Sequence, residues 1–100
     1  PIYIIGVDSD WYLTAPDYAS IELTSVLKNM DVTTFNVIQS AMDGTFAGGN
    51  IVGNLANGGV GLAEFHDLDG VVSAELKAEL ETVKADLLAG TITLNPAYKQ

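Results

Sequence analysis

The residue best placed to bind a small polar ligand directly follows the first apolar segment of the chain. Residues 2–7 form a continuous apolar run rich in β-branched and aromatic types, which is typical of a strand covered on both faces. Asp8 comes next, and ligands of open α/β sheets collect just outside the carboxyl ends of such strands. A carboxylate there can accept two hydrogen bonds from a vicinal diol, as in a ribose. Asp8 is therefore a candidate binding residue; the alternative is that it only caps the following turn.

The segment after Asp8 carries further polar and aromatic candidates. Residues 8–20 form a long polar connection, and unusual length in a connection favours a functional role. Ser9 and Asp10 offer polar groups to the same site, more weakly than Asp8. Trp11 could stack on a sugar or a base, although an indole in such a position more often only covers a loop.

Lys28 is the candidate positively charged partner of Asp8. It ends the next predicted strand, residues 21–28, and could pair with Asp8 so that both charges are satisfied in a closed site. The alternative is an ordinary surface lysine at the edge of a sheet.

No motif of a known catalytic or metal site is present. His66 and Asp67 are the one neighbouring pair of histidine and carboxylate, and without a second histidine or a nucleophile motif they are interpreted as a polar loop. Asp8 and Asp10 could in principle hold a metal, but two carboxylates are too few ligands to favour it. We therefore expect no enzymatic activity, no cofactor and no metal.

The composition is typical of one acidic, globular domain. Of the 100 residues, 48% are hydrophobic and 17% charged, and the net charge of −9 comes from 13 acids against 4 lysines with no arginine. Nucleic acids and anionic membranes both require clustered basic residues, so neither is an expected partner. Cysteine is absent, which excludes disulfides and thiol chemistry, and no apolar run approaches the length of a membrane span.

Hydrophobic periodicity predicts strands alternating with helices, which indicates an α/β architecture. Ser73 is the predicted N-cap of the second helix and Gly90 its end, while Asp31 is the predicted N-cap of the first. Leu76, Leu80, Val83 and Leu87 should form the buried stripe of the second helix. The predicted strands are residues 2–7, 21–28, 50–55, 62–65 and 91–94, and the predicted helices are residues 32–44 and 74–89.

Two helices are too few to cover both faces of so apolar a sheet. The chain also begins at Pro1 with a strand already in progress and without a signal peptide. We therefore expect a segment of a longer protein, whose other part or a partner subunit supplies the missing helices.

Four segments in a fixed order resemble a known family. They are residues 6–10 (GVDSD), 23–32 (LTSVLKNMDV), 43–49 (DGTFAGG) and 58–63 (GGVGLA). In sequence and order they resemble the end of the basic membrane protein family of substrate-binding lipoproteins, which includes bacterial purine-nucleoside receptors. The match covers nearly the whole chain.

This resemblance implies a type I periplasmic-binding-protein fold, with two α/β lobes of mostly parallel sheets and a ligand cleft between them. Residues 1–100 would be the C-terminal segment. Most of it would lie in the C-terminal lobe, with a crossover strand at residues 21–28 and with residues 30–46 packing on the N-terminal lobe.

The resemblance also implies a function. The protein would be the extracytoplasmic, lipid-anchored receptor of an ABC importer, and it would capture a nucleoside and deliver it to the permease. Asp8 matches the aspartate that holds the ribose hydroxyls, and Lys28 matches the lysine that reaches the same sugar. Trp11 departs from the family pattern, where glutamine is common at this position. The difference bears on the identity of the ligand and not on the fold. The alternative is an assembly module that self-associates by exchanging strands or subunits.

Overall fold

The fold is a small α/β unit. The computed structural model describes residues 1–95, so the last five residues of the predicted segment 1–100 lie outside it. Three strands and three α-helices occur in the described part of the chain, together with short 3-10 helices at Pro16–Tyr18 and His66–Val71. The strands are β1 (Ile4–Asp8), β2 (Glu22–Lys28) and β3 (Val60–Leu62), and the helices are α1 (Trp11–Thr14), α2 (Met30–Met42) and α3 (Ala74–Ala89).

The three strands form one mixed sheet in the order β1-β2-β3. β1 runs parallel to β2, with Gly6 opposite Ser25 and Asp8 opposite Leu27. The parallel pair requires a crossover, which α1 and the first 3-10 helix provide. β3 is antiparallel to β2, so the expectation of a mostly parallel sheet is only partly met in residues 1–95.

Two of the predicted strands are wrong. Residues 50–55 form no strand, because Asn54 and Asn57 close them into a turn: each side-chain oxygen accepts from the other's backbone N–H, at 2.8 and 3.0 Å. Residues 91–94 form no strand either. The N–H groups of Thr91 and Ile92 both donate to the carbonyl of Asp86 and complete the end of α3. The predicted strand at residues 62–65 is displaced to Val60–Leu62.

Helix α2 is confirmed with shifted ends, at Met30–Met42 instead of residues 32–44. Asp31 lies in the first turn and is not the N-cap; Asn29 has that position. The Asn29 side chain makes no capping bond and instead donates to the carbonyl of Gly58 at 2.9 Å. A tertiary contact has therefore taken the group that would cap the helix.

Helix α3 begins and ends as predicted. The Ser73 hydroxyl accepts from the N–H of Leu76 at 3.1 Å, and Gly90 closes the helix in the left-handed conformation with φ of 78°. Its predicted apolar stripe, however, is not buried in the part of the chain that the structure describes, and Leu76 remains 46% exposed. An apolar cavity of about 240 Å³ separates Leu76 and Leu80 from the sheet.

The core is centred on β2. Glu22, Thr24 and Ser25 are buried there, together with Ala63 and Val72. β1 is not covered on both faces as expected, because Ile5 and Val7 are about half exposed among the described residues. The exposure of these side chains agrees with the shortage of covering helices inferred from the sequence. The helices of residues 1–95 include none with the length and hydrophobicity of a membrane span.

Candidate functional site

Asp8 and Lys28 meet at one end of the sheet. Each is the last residue of its strand, and because β1 and β2 are parallel these ends lie side by side. The Lys28 Nζ lies 3.0 Å from Asp8 Oδ1, while the two side chains remain 64% and 57% exposed. An ion pair so open to water stabilises a fold by little, about 0–1 kcal/mol. Both groups therefore remain accessible to a ligand that offers hydroxyls to them.

Asp8 has an unusual backbone conformation. Its φ is 75°, in the left-handed region that non-glycine residues rarely adopt, although aspartate tolerates it better than most. A hydrogen bond from the N–H of Ser9 to the carbonyl of Val7, at 3.0 Å, closes this tight turn. Conformations of this kind concentrate at functional sites, where the surrounding structure compensates for their cost.

Asp10 lies beside the pair but faces inward. Its Oδ1 accepts from the N–H of Tyr12 at 3.1 Å and so caps α1, and its Oδ2 lies 2.7 Å from Nε2 of His66. Since both carboxylate oxygens have partners within the chain, Asp10 is placed to hold the loop rather than to reach outward. The Ser9 hydroxyl is similarly engaged, 3.1 Å from that of Thr14.

Trp11 packs against the first strand. Its indole N–H donates to the carbonyl of Val7 at 3.0 Å, and its backbone N–H donates to Ser25 Oγ at 3.1 Å. The ring lies over Gly6, where an added Cβ would come within 2.6 Å of the Trp11 Cγ and would also collide with Ser25 Oγ. The indole thus covers β1, and its stacking on a ligand stays a prediction.

Two buried side chains of β2, Glu22 and Ser25, hold the same loop against the sheet. Ser25 is fully buried, and its hydroxyl donates to Oε1 of Glu22 at 2.6 Å while accepting from Trp11. Glu22 is 1% exposed, and its Oε2 has no hydrogen-bond partner among residues 1–95. This pair is hidden in the sequence, because strict alternation along a strand assigns residues three apart to opposite faces. β2 carries a bulge between Glu22 and Thr24, which brings Glu22 and Ser25 together.

A second cluster joins α1 to the segment after β3. The His66 ring stacks on Tyr12 with centroids 4.1 Å apart and an interplanar angle of 10°. Asp67, through a hydrogen bond and its negative charge, raises the pKa of Tyr12 above the ordinary 10.0. Rather than an open loop, His66 begins a 3-10 helix, with a left-handed φ of 44°. The 56 residues that separate it from Asp10 hid this contact from sequence reasoning.

No metal centre is visible in residues 1–95, where no group of three or more potential ligands converges. Asp8 and Asp10 bind different partners, Lys28 and His66 respectively. The geometry is that of a small polar site supported by a hydrogen-bonded loop.

Comparison with known proteins gives one informative relative. No protein-family model matches the chain. The chain is similar to the ABC transporter nucleoside-binding protein BmpA of Lactococcus lactis subsp. cremoris, with 34% identity over 101 aligned positions. The similarity covers 93% of this chain but only 27% of the relative. The chain therefore spans about a quarter of the length of a protein whose name describes a transport component and not an enzyme.

Proposed function

We propose that this chain is the C-terminal segment of an extracytoplasmic solute-binding protein of the basic membrane protein family, which captures a nucleoside for an ABC importer. The similarity to a nucleoside-binding transport protein over 93% of the chain carries the proposal. Binding would be reversible, with no covalent step, no cofactor and no metal.

The geometry of Asp8 and Lys28 supports the proposal. The carboxylate accepts hydrogen bonds and the ammonium donates them. Sugar hydroxyls both donate and accept, so the two groups together can bind a pair of them. Their position at adjacent parallel strand ends is where ligands of α/β sheets bind. A ligand that displaces water from this exposed pair would strengthen both charge-assisted bonds, because the local dielectric constant falls.

Helix α2 supports the proposed two-lobe arrangement. Val32, Val37 and Ser40 are half buried on its inner side, whereas Phe35 and Ile38 are 65% and 57% exposed on the opposite side. An amphipathic helix with apolar residues on its outer face requires a further packing partner. We propose that residues 30–46 pack on an N-terminal lobe, formed by the part of the polypeptide that corresponds to the rest of the relative.

The same relationship implies a location and a partner. The receptor would lie in the periplasm or at the cell surface, held by a lipid anchor in an N-terminal region, and it would dock on the permease of the importer. Self-association, the alternative considered from the sequence, has no support from the relative. A monomer in light scattering of the 100 residues would count against it.

Calorimetry on the full-length protein that contains this chain tests the proposal. Adenosine, guanosine and inosine are titrated in turn, and at least one should bind with a Kd of about 1 μM or tighter. Asp8→Ala should weaken that binding by at least about tenfold, because it removes a charged acceptor. Asp17→Ala is the matched control, since Asp17 is an exposed aspartate of the same connection outside the pair.

Lys28→Met extends the test to the other charge, with Lys84→Met, an exposed lysine of α3, as its control. Lys28→Met should lower the affinity, and Lys84→Met should leave it unchanged. The nucleoside assignment fails if none of the three ligands binds. The assignment of Asp8 fails if Asp8→Ala binds as tightly as the unchanged protein.

A further inference from the structure

His66 makes two contacts to the loop that carries the candidate site. Its Nε2 lies 2.7 Å from Asp10 Oδ2, and its ring stacks on Tyr12. The side chains of His66 and Asp10 are only 20% and 18% exposed, so their contact is better shielded from water than the pair of Asp8 and Lys28. A polar contact that is partly removed from water is worth more than an exposed one.

The contact reaches Asp8 through a short path. Asp10 caps α1 with its other oxygen, and it lies two residues after Asp8. Holding Asp10 therefore fixes one end of the turn in which Asp8 has its left-handed conformation. His66 also has a positive φ, a cost that the two contacts to α1 offset.

We propose that His66 is a positioning residue for this site, which acts through Asp10 to hold Asp8 in place. The inference rests on the proposed binding function. Without the contact from His66, Asp10 would no longer link the loop to the segment after β3, so the turn at Asp8 should become more mobile and ligand affinity should fall.

The test compares His66→Ala with His66→Gln in the full-length protein. Both replacements meet the same backbone conformation, but only glutamine retains a side-chain donor. The probe is whichever of adenosine, guanosine and inosine binds tightest. His66→Ala should bind it about three- to tenfold more weakly than the unchanged protein, because Asp10 loses its partner. His66→Gln should recover most of that affinity, because glutamine can still donate to Asp10.

Hydrogen exchange of residues 9–14 provides a readout without ligand. Exchange in this segment should be faster in His66→Ala than in His66→Gln. The proposal is overturned if His66→Ala binds as tightly as the unchanged protein, or if exchange does not differ between the two variants. If no nucleoside binds the unchanged protein, the proposed function fails, and hydrogen exchange alone decides the role of His66.

A second variant covers the case in which His66→Ala does not fold. Asp10→Asn preserves a good N-cap for α1 but removes the negative charge that faces His66. It should weaken ligand binding and speed the hydrogen exchange of residues 9–14 while the protein remains folded by circular dichroism. Binding and exchange like those of the unchanged protein would contradict the proposal.

Discussion

At the scale of single residues, the proposed site would depend on groups that support Asp8 as much as on Asp8 itself. The side chains of Asp8 and Lys28 pair with each other and are more than half exposed, whereas Asp10 and Trp11 bind the rest of the chain. The predicted binding set thus separates into two accessible charges and a supporting loop. We propose that Ser9, Asp10 and Trp11 act mainly by keeping that loop in place.

Gly6→Ala tests how tightly the loop is seated. A methyl group at this position would collide with Ser25 Oγ and the Trp11 ring, so the loop must move away from β1. We expect a loss of about 1–3 kcal/mol in the free energy of unfolding, measured by urea denaturation. Gly61→Ala is the control, because Gly61 also lies in a strand and a Cβ there would meet nothing within 4 Å. Equal stability of the two variants would contradict the close packing of the loop on Gly6.

At the scale of elements, the connections contribute as much to the site as the strands. The crossover between β1 and β2 holds α1 against the sheet, and the 3-10 helix after β3 brings His66 to α1. Helix α3 follows this segment, and its start is set by the cap at Ser73.

Ser73→Ala should weaken the start of α3. It removes the acceptor of the Leu76 N–H, and loss of such a cap costs about 1 kcal/mol. Ser73→Asp is the matched control, because aspartate caps equally well and adds a negative charge at the positive end of the helix. Thermal unfolding should place the alanine variant below the unchanged protein and the aspartate variant at or above it. The opposite order would show that the cap does not matter.

At the scale of the whole molecule, residues 1–95 form a sheet without enough helices to cover it. The buried residues are few and partly polar, while large apolar side chains of β1 and α2 remain exposed. A unit of this kind gains stability from further apolar contacts. This agrees with a chain that matches 27% of its relative.

Helix α2 should respond most to the rest of the protein. We expect its amides to exchange with solvent at least about tenfold more slowly in the full-length protein than in the 100 residues alone, because its outer face would be covered. β2 is the internal control, since it is already hydrogen-bonded to β1 and β3 on its two sides. Equal exchange of α2 in both forms would contradict the packing of residues 30–46 on another lobe.

Features that depend on neighbouring residues were predictable from the sequence alone. Ser73 and Gly90 bound α3 as expected, because capping involves groups within one turn of the helix. Asp8 and Lys28 were placed at strand ends and meet there, because an apolar run ending in a charged residue locates the end of a strand. Their role in binding stays a prediction.

Only the tertiary structure decided which distant groups meet. Residues 50–55 and 91–94 have strand-like sequences but no strand to pair with among residues 1–95, and local turns take their hydrogen bonds instead. The bulge that joins Glu22 to Ser25 is set by pairing with β1, and the contact of His66 with Asp10 by the path of the chain after β3. Capping groups close in sequence determine where a helix such as α3 begins and ends, whereas pairing and packing determine which strands form and which side chains come into contact.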